Sequence, residues 1–309
     1  MTKLVEHQIH LKPDAVSKHQ RPYKLPPHKR DVLRHQLDEP LSQGIITPVN
    51  EKEHIPISSP IVLVSKRNRP NSGLKTGSKE ESLSLYRFCV DFRYLNSNTQ
   101  DFRYAIPNVD ELTESFAQRI PNFISFIDLS SGFFQMRISP ESTKYTAFNT
   151  CFGTFKLNML PMGLKTSPNS FQLLMDKILN GLSFRNTLCY LDDVLVFSES
   201  FEQHLKDLQE VFSRFYSAGL KISPQKCKFA QRKCTFLGHE ISKEGIRQPG
   251  DRLRAISDFS EPTNTKEFKR YLGLMNWFKK IFAITALKQI VYTNFYVKVR
   301  NVFGKRNIG

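Results

Sequence analysis

The sequence is poor in cysteine, and none of its five cysteines forms a Cys-x-x-Cys pair. They are Cys89, Cys151, Cys189, Cys227 and Cys234, three of which lie inside apolar, strand-like runs. This pattern argues against a disulfide scaffold and predicts reduced cysteines packed in the core. A zinc site at Cys227, Cys234 and His239 would lack a fourth ligand and the usual close spacing, so none is predicted.

Long hydrophobic runs are also absent. No stretch is long and apolar enough to cross a bilayer, and the first seven residues lack the apolar segment of a secretory signal. We therefore expect a protein of the cytoplasm or nucleus that is not secreted and has no membrane partner.

Acidic residues are in deficit, with 29 Asp and Glu against 45 Lys and Arg, a net charge of +16 and a pI near 9.6. Such a charge favours a polyanionic partner, nucleic acid first, over the alternative of a basic surface that serves solubility alone. The 309 residues, 39% of them hydrophobic, are enough for a substantial core and more than one subdomain.

Three aspartates stand where the apolar pattern predicts core. Asp192 and Asp193 separate two apolar runs, and Asp128 ends the apolar run 123–127. A buried carboxylate is costly unless it is paired, protonated or bound to a cation, so the pattern predicts a divalent metal and phosphoryl-transfer chemistry. Mg²⁺ prefers such hard oxygen ligands.

The doublet itself has two interpretations. Because side chains alternate along a strand, Asp192 and Asp193 should have unequal roles unless a turn redirects one of them. The alternative is an exposed β-turn, where aspartate is common. The apolar flanks and the partner at Asp128 favour the metal site.

Apolar periodicity predicts interleaved helices and strands without a strict βαβ rhythm, which favours an α+β fold. Strands are predicted at Pro60–Val64, Tyr86–Phe92, Phe123–Asp128, Tyr145–Phe148 and Thr154–Met159, with a strand pair at Thr235–Ile241. Helices are predicted at Asp31–Gly44, from a Ser167 cap to near Gly181, at Phe201–Ala218 and at Thr265–Trp277. The polar stretch Lys66–Ser84 is predicted to be a flexible loop.

Two helices carry apolar faces that we assign to the core. These faces comprise Phe171, Leu174, Met175, Ile178 and Leu182 on the first, and Leu205, Leu208, Val211, Phe212 and Phe215 on the second.

The motif Tyr190-Leu191-Asp192-Asp193, with FIDLSSGF at 126–133 upstream, resembles reverse transcriptases of Ty3/gypsy-type LTR retrotransposons. A YxDD string alone is a weak signal, but further blocks follow the order of that family across about Tyr23–Phe282. They are YRFCVDFRYLN at 86–96, LPMGLKTSPNSFQ at 160–172, His204-Leu205, KCKF at 226–229 and FLGH at 236–239.

The resemblance implies a right-hand polymerase with fingers, palm and partial thumb, whose antiparallel palm sheet is backed by helices. Its boundaries would be an extended lead-in at 1–30, fingers and the start of the palm at 31–125, palm with a fingers insertion and primer-grip hairpin at 126–245, the start of thumb and connection at 246–282, and an unaligned basic tail at 283–309.

The implied reaction is RNA-directed DNA synthesis, in which a primer 3′-hydroxyl attacks the α-phosphate of a dNTP on an RNA or DNA template. Two Mg²⁺ ions are implied, with Mn²⁺ as an alternative. Asp128 and Asp192 would be the catalytic and metal-binding residues, with Asp193 as a weaker or supporting ligand. The implied nucleotide contacts are Lys66, Arg87, Phe133, Met162 and Gly163, and the implied template and primer contacts are Arg93, Tyr190, Leu237 and Gly238.

Several of these roles have alternatives. Arg87 would contact the triphosphate or be a plain strand-surface arginine, and Phe133 would exclude a 2′-hydroxyl or belong to the core. The alignment of Lys66 is unsettled by the long loop beside it. Met162 departs from the Phe of these elements and the Gln of retroviruses, which puts the local nucleotide contacts in doubt.

The alternative function is a catalytically dead nucleic-acid-binding remnant of a truncated retroelement. A template-directed RNA polymerase ranks third, because Phe133 argues against ribonucleotides. No protease, nucleocapsid, RNase H or integrase motif is visible, so a fragment or relic of a longer polyprotein is expected. The basic tail 283–309 is interpreted as frameshifted read-through rather than a nucleic-acid contact, and the oligomeric state is left open.

Overall fold

The computed structural model describes residues 2, 4–65, 85–109, 111–112, 121–247, 259–260 and 264–279. The predicted loop at 66–84, which includes Lys66, and the tail at 283–309 lie outside the described residues. The chain forms two compact units. One comprises Met1–Phe236 with Ile241–Gly245, and the other comprises Leu237–Glu240 with Ile246–Gly309.

The described residues form fifteen strands and six α-helices, in agreement with the predicted α+β class. The strands are β1 Glu6–His7, β2 Lys18–His19, β3 Ile46–Pro48, β4 Ile57–Ser65, β5 Tyr86–Val90, β6 Phe123–Asp128, β7 Arg137–Ile138, β8 Ala147–Thr150, β9 Gly153–Leu157, β10 Thr187–Tyr190, β11 Asp193–Ser198, β12 Lys228–Gln231, β13 Lys233–Phe236, β14 His239–Ser242 and β15 Gly245–Arg247. The helices are α1 Pro27–Ser42, α2 Arg93–Asn98, α3 Pro140–Thr143, α4 Ser167–Ile178, α5 Phe201–Ser217 and α6 Thr265–Lys279. Short 3₁₀ turns lie at Gly132–Gln135 and Lys144–Thr146.

Two sheets organise the first unit. A four-stranded antiparallel sheet has the order β10-β11-β6-β12. A six-stranded sheet has the order β2-β4-β8-β9-β3, with β5 also paired to β4. Its β2–β4 and β4–β8 pairs are parallel, so this second sheet is mixed.

Each sheet has its own hydrophobic core. Helix α4 packs against β10, and α5 packs against β11 and β6, so the four-stranded sheet is backed by two helices. The predicted apolar face of α4 is buried at every position, as is most of the face on α5. Phe212 is half-buried against the core, whereas Leu205 is 52% exposed, so the assignment of Leu205 to the core was wrong.

Most elements lie where apolar periodicity predicts them, and β6 has the predicted bounds. Helix α1 begins four residues earlier than expected, at Pro27, because proline at the first helical position needs no hydrogen bond from its nitrogen. Strand β5 ends at Val90 because the chain turns into α2, which begins three residues later at Arg93. Tyr145 and Thr146, predicted as the start of a strand, belong to the 3₁₀ turn Lys144–Thr146 before β8.

The cap of α4 differs from the prediction. Thr166 occupies the N-cap position, and the Ser167 hydroxyl instead donates a hydrogen bond to the Pro161 carbonyl at 2.8 Å. The helix ends at Ile178, three residues before Gly181. Ser200 does cap α5, since its side chain accepts a hydrogen bond from the Gln203 amide.

The cysteines are all free, and two of them, Cys189 and Cys234, are buried. Cys151 is exposed in the β8–β9 turn, so the prediction of a core position is wrong there. Within the described part of the chain, no helix combines the length and apolar composition that a membrane crossing requires.

Candidate active site

The YLDD motif forms a tight hairpin. Tyr190 ends β10 and pairs with Asp193, the first residue of β11, so Leu191 and Asp192 form a two-residue loop. Leu191 has a φ of 57°, a left-handed conformation that is uncommon for a residue with a branched side chain. The loop therefore takes Asp192 out of the strand alternation. This is the exception allowed above, so alternation no longer requires unequal roles, and the lesser role of Asp193 stays a prediction.

The neighbouring strand brings Asp128 to the same place. In the antiparallel pairing of β11 with β6, Asp193 stands directly opposite Asp128. Side chains of directly opposed residues share one face of a sheet, with their Cβ atoms about 4.5–5.5 Å apart. The fold thus places two carboxylates from distant parts of the chain side by side.

Asp192 packs over the turn that follows β6. A Cβ added at Gly132 would lie 3.1 Å from the Asp192 Cβ and 3.2 Å from Cζ of Phe171. Such distances are tighter than nine in ten real Cβ contacts, so the glycine leaves the space that Asp192 occupies. All three aspartates are half-buried.

The site carries more negative than positive charge. Burial, and then the charges of Asp192 and Asp128, together raise the pKa of Asp193 to about 6, whereas the charge of Lys226 opposes the shift. The Lys226 Nζ lies 3.1 Å from Oδ1 of Asp128. The loop that carries this lysine is anchored to β6, because the Ser223 amide donates to the Asp128 carbonyl at 2.8 Å.

The donor set suits magnesium without forming a closed cage. Among the described residues, no group of three or more His, Cys, Asp or Glu side chains is arranged to hold a metal ion by itself. Mg²⁺ takes one or two protein carboxylates and completes its coordination with water and substrate phosphates. Asp128 and Asp192, with Asp193 beside them, fit that mode of binding.

The predicted nucleotide contacts are spread over several elements. Arg87 is exposed on β5, opposite Val64. Phe133 is buried and its ring stacks on Phe171 at 4.9 Å, which agrees with the core interpretation and leaves its contact with a sugar a prediction. Met162 is 60% exposed, and Gly163 has a φ of 99° in the same loop.

The predicted template and primer contacts divide between the two units. Arg93 donates to both carboxylate oxygens of Asp91, at 2.8 and 2.7 Å, and this hydrogen bonding lowers the pKa of Asp91 to about 2. Tyr190 is half-buried at the start of the YLDD hairpin. Leu237 and Gly238, with φ values of 49° and 82°, form the turn between β13 and β14 and belong to the second unit.

Two amide side chains in the motif blocks were given no role by sequence reasoning. Asn96 on α2 donates to the Gly163 carbonyl at 2.8 Å and accepts from the Lys165 amide at 2.9 Å, which clamps the loop of Met162. Gln172 on α4 accepts a hydrogen bond from the Leu191 amide at 2.8 Å. Their signal in the sequence is a polar side chain inside a conspicuous motif, but the sequence does not identify the partner.

An antiparallel sheet backed by two helices, with an aspartate at a strand end opposite an aspartate hairpin, defines a right-hand nucleic-acid polymerase. The chain belongs to the reverse transcriptase (RNA-dependent DNA polymerase) family, whose model matches residues 74–241, more than half of its length. This confirms the resemblance to reverse transcriptases of Ty3/gypsy-type retrotransposons.

Relatives come from animals and fungi. The chain is 34% identical over 258 residues to the Retrovirus-related Pol polyprotein from transposon opus of Drosophila melanogaster, covering 84% of this chain and 24% of that protein. It is 27% identical over 285 residues to the Transposon Tf2-3 polyprotein of Schizosaccharomyces pombe, covering 92% of this chain and 20% of the relative. The chain therefore spans about a quarter or less of these relatives.

A solved structure shows the same fold. The foamy viral protease-reverse transcriptase in complex with RNA/DNA hybrid superposes with a TM-score of 0.73 at 24% identity, over 90% of this chain and 34% of the viral one. The predicted fold class, a right-hand α+β polymerase, is confirmed.

Proposed function

We propose that this chain is the polymerase portion of a retrotransposon reverse transcriptase, which adds dNTPs to a primer 3′-hydroxyl on an RNA or DNA template. The observation that carries the proposal is the strand register that sets Asp193 opposite Asp128, beside Asp192 on its hairpin. The chain belongs to the reverse transcriptase family. In such a polymerase, these carboxylates would bind the divalent cations that assist nucleotidyl transfer.

Asp128 and Asp192 would hold Mg²⁺, or Mn²⁺ as an alternative, with Asp193 as the supporting carboxylate. When bound, such ions supply electrostatic stabilisation at phosphorus and lower the pKa of an attacking hydroxyl. Three half-buried carboxylates lie together here, and burial and the charges of Asp192 and Asp128 raise the pKa of Asp193 to about 6. A divalent cation would offset this repulsion, so the group is suited to attracting one.

The remaining assignments concern the substrates. Arg87 is proposed to contact the triphosphate, because a guanidinium fork matches phosphate oxygens. Arg93, whose side chain is 84% exposed while Asp91 holds its orientation, is proposed to contact the template. Gly163 and Met162 would line the nucleotide on the loop that Asn96 clamps.

The remaining proposed contacts are Lys66 and Phe133 for the nucleotide, and Tyr190, Leu237 and Gly238 for the primer. The net charge of +16 suits a nucleic-acid duplex. We include a location in the cytoplasm or nucleus in the proposal, since templates and dNTPs are found there.

Primer extension tests the proposal. With Mg²⁺, a labelled primer and either an RNA or a DNA template, the wild-type chain should extend the primer. Asp192→Asn should reduce extension by about 100-fold or more, because an amide is a poor ligand for a hard cation. Asp38→Asn, an exposed position on α1, removes the same charge outside the site and should extend normally.

Binding of the same template-primer across a salt series, measured together with nucleotide incorporation, separates the proposal from the remnant hypothesis. Affinity should fall steeply with salt in either case, because the contacts to phosphate are ionic. A folded chain that binds in this way but incorporates no nucleotide would contradict the proposal. Preferential incorporation of ATP over dATP would instead support an RNA polymerase.

A further inference from the structure

The hairpin that carries Asp192 and Asp193 contains a strained residue. Leu191 has a left-handed backbone, with a φ of 57°, although it is neither glycine nor asparagine. Such a conformation persists only where the surrounding structure holds it. The contacts of Leu191 therefore decide how firmly the hairpin is fixed.

The Leu191 amide is held by a buried side chain on α4. Gln172 has no exposed surface, and its Oε1 accepts a hydrogen bond from the Leu191 amide at 2.8 Å. Its Nε2 lies 3.4 Å from the carbonyl of Cys189 on β10. One side chain thus contacts both β10 and the loop that follows it.

A second carboxylate sets the orientation of that amide. The Gln172 Nε2 donates to Oδ1 of Asp176 at 2.9 Å, one helical turn further along α4. Oδ2 of Asp176 accepts from the Tyr104 hydroxyl at 2.7 Å. Because an ionised carboxylate only accepts hydrogen bonds, the NH₂ group of Gln172 must face Asp176, which leaves the oxygen for Leu191.

Packing alone does not account for a glutamine here. Neighbours of Gln172 on α4, Phe171 and Leu174, belong to the apolar core, and a methionine would fill nearly the same volume. Burying an amide costs free energy unless its hydrogen bonds are made. In Gln172 both the oxygen and the NH₂ group have hydrogen-bond partners. The polar contacts are therefore the reason for the residue.

We propose that Gln172, oriented by Asp176, is a positioning residue that holds Leu191 and so fixes the direction of Asp192 and Asp193. The catalytic part of this inference rests on the proposed function. The positioning part does not, because the order of the hairpin is measurable without nucleic acid.

Hydrogen exchange of the Leu191 amide in the free protein is the first readout. Gln172→Met keeps the volume and removes the acceptor, so we expect exchange at Leu191 to accelerate about tenfold or more while the melting temperature changes little. Gln209→Met, an exposed glutamine on α5, is the matched control and should leave that exchange unchanged. Unchanged exchange in Gln172→Met would overturn the proposal.

Exchanging the amide and the carboxylate between positions 172 and 176 should restore the slow hydrogen exchange of Leu191. A purely structural role of Gln172 does not predict this rescue. In Gln172→Glu/Asp176→Asn, one carboxylate oxygen accepts from the Leu191 amide and the other accepts from the NH₂ group introduced at 176, whose oxygen still accepts from the Tyr104 hydroxyl. Of the contacts of Gln172 described above, only the one at 3.4 Å with the Cys189 carbonyl is lost. Exchange should return to within about threefold of wild type, whereas each single variant should remain faster. A double variant no better than the singles would contradict the orienting role of Asp176.

Primer extension is the second readout. Gln172→Met should lower kcat by about 10- to 100-fold with little change in KM for dNTP, because the carboxylates are displaced and the nucleotide contacts are not. The double variant should recover. If Gln172→Met fails to fold, Tyr104→Phe removes only the outer hydroxyl and should accelerate Leu191 exchange to a smaller extent; no acceleration there would count against the chain of contacts.

The two proposals fail differently. A wild-type chain without extension activity, in which Leu191 exchange still responds to Gln172→Met, would overturn the proposed function and keep the positioning role. A wild-type chain that extends primers, in which Gln172→Met changes neither kcat nor Leu191 exchange, would keep the proposed function and overturn the positioning role.

Discussion

Asp193 stands directly opposite Asp128 on neighbouring antiparallel strands, so two like charges face each other on one side of the sheet. Opposed like charges destabilise a sheet. Burial, the charge of Asp192 and the opposed charge of Asp128 together raise the pKa of Asp193. Lys226 relieves part of this repulsion through its ion pair with Asp128. The arrangement is costly to the fold and suited to a bound cation.

Removing that lysine charge should raise the pKa of Asp193 above its value of about 6. In Lys226→Met the one charge that lowers the pKa of Asp193 is lost, while burial and the two neighbouring carboxylates remain. Carboxyl chemical shifts followed by NMR through a pH titration, without metal, measure the change. Lys226→Arg keeps the charge and is the control; an equal pKa in all three proteins would show that the ion pair does not reach Asp193.

Gly132→Ala should damage activity more than stability. The added methyl would press on Asp192 and Phe171, so overpacking should cost about 1–3 kcal/mol of unfolding free energy and displace the aspartate. Urea unfolding and primer extension measure the two effects. Gly273→Ala lies in α6 with open space around the new Cβ and should be neutral or stabilising. Full activity in Gly132→Ala would mean that Asp192 tolerates the shift.

Sequence reasoning reached the elements because they follow from local patterns. The apolar run before Asp128 has the length of a strand and ends in a charge, and β6 has those bounds. Helical periodicity likewise gave α4 and its buried face. Periodicity does not tell how far the sheet extends beneath a helix, which is why Leu205 at the start of α5 was misplaced.

The sequence indicates the residues of the candidate site but not the contacts that hold them in place. Adjacent carboxylates between apolar runs point to Asp192 and Asp193, and a carboxylate at the end of an apolar run points to Asp128. The structure brings these residues together, and their catalytic role stays a prediction. The register of β11 against β6, the left-handed Leu191 and the contact of Gln172 depend on residues far apart in the chain. No local pattern encodes such pairings.

The clamp on the nucleotide loop should affect substrate binding. Asn96→Ala removes the donor to Gly163 and the acceptor of Lys165, so the loop loses two hydrogen bonds. On the proposed function, we expect KM for dNTP to rise about tenfold with a smaller change in kcat. Asn98→Ala, on the same helix but bonded to Tyr94, is the control. A fall in kcat with an unchanged KM would contradict the prediction that these two hydrogen bonds affect nucleotide binding.

A buried histidine should make the fold sensitive to acid. His7 on β1 is buried, and its Nδ1 lies 2.8 Å from the Ser170 hydroxyl on α4. Burial, and to a smaller extent the charge of His10, lowers the pKa of His7 from 6.5 to about 4. Between these values the unfolded chain binds more protons than the folded one, so the free energy of unfolding rises with pH.

The stability from His7 is therefore fully present above pH 6.5 and lost as the pH falls towards 4, a change of about 3 kcal/mol at most. Urea unfolding at several pH values in this window measures it. His7→Asn keeps a polar partner for Ser170 without a titrating ring, so its stability should depend less on pH than that of the wild type. His54→Asn, at an exposed position, should follow the wild-type curve. If the stability of His7→Asn shows the same pH dependence as that of the wild type, protonation of His7 is not the cause of the acid sensitivity, and other groups are responsible.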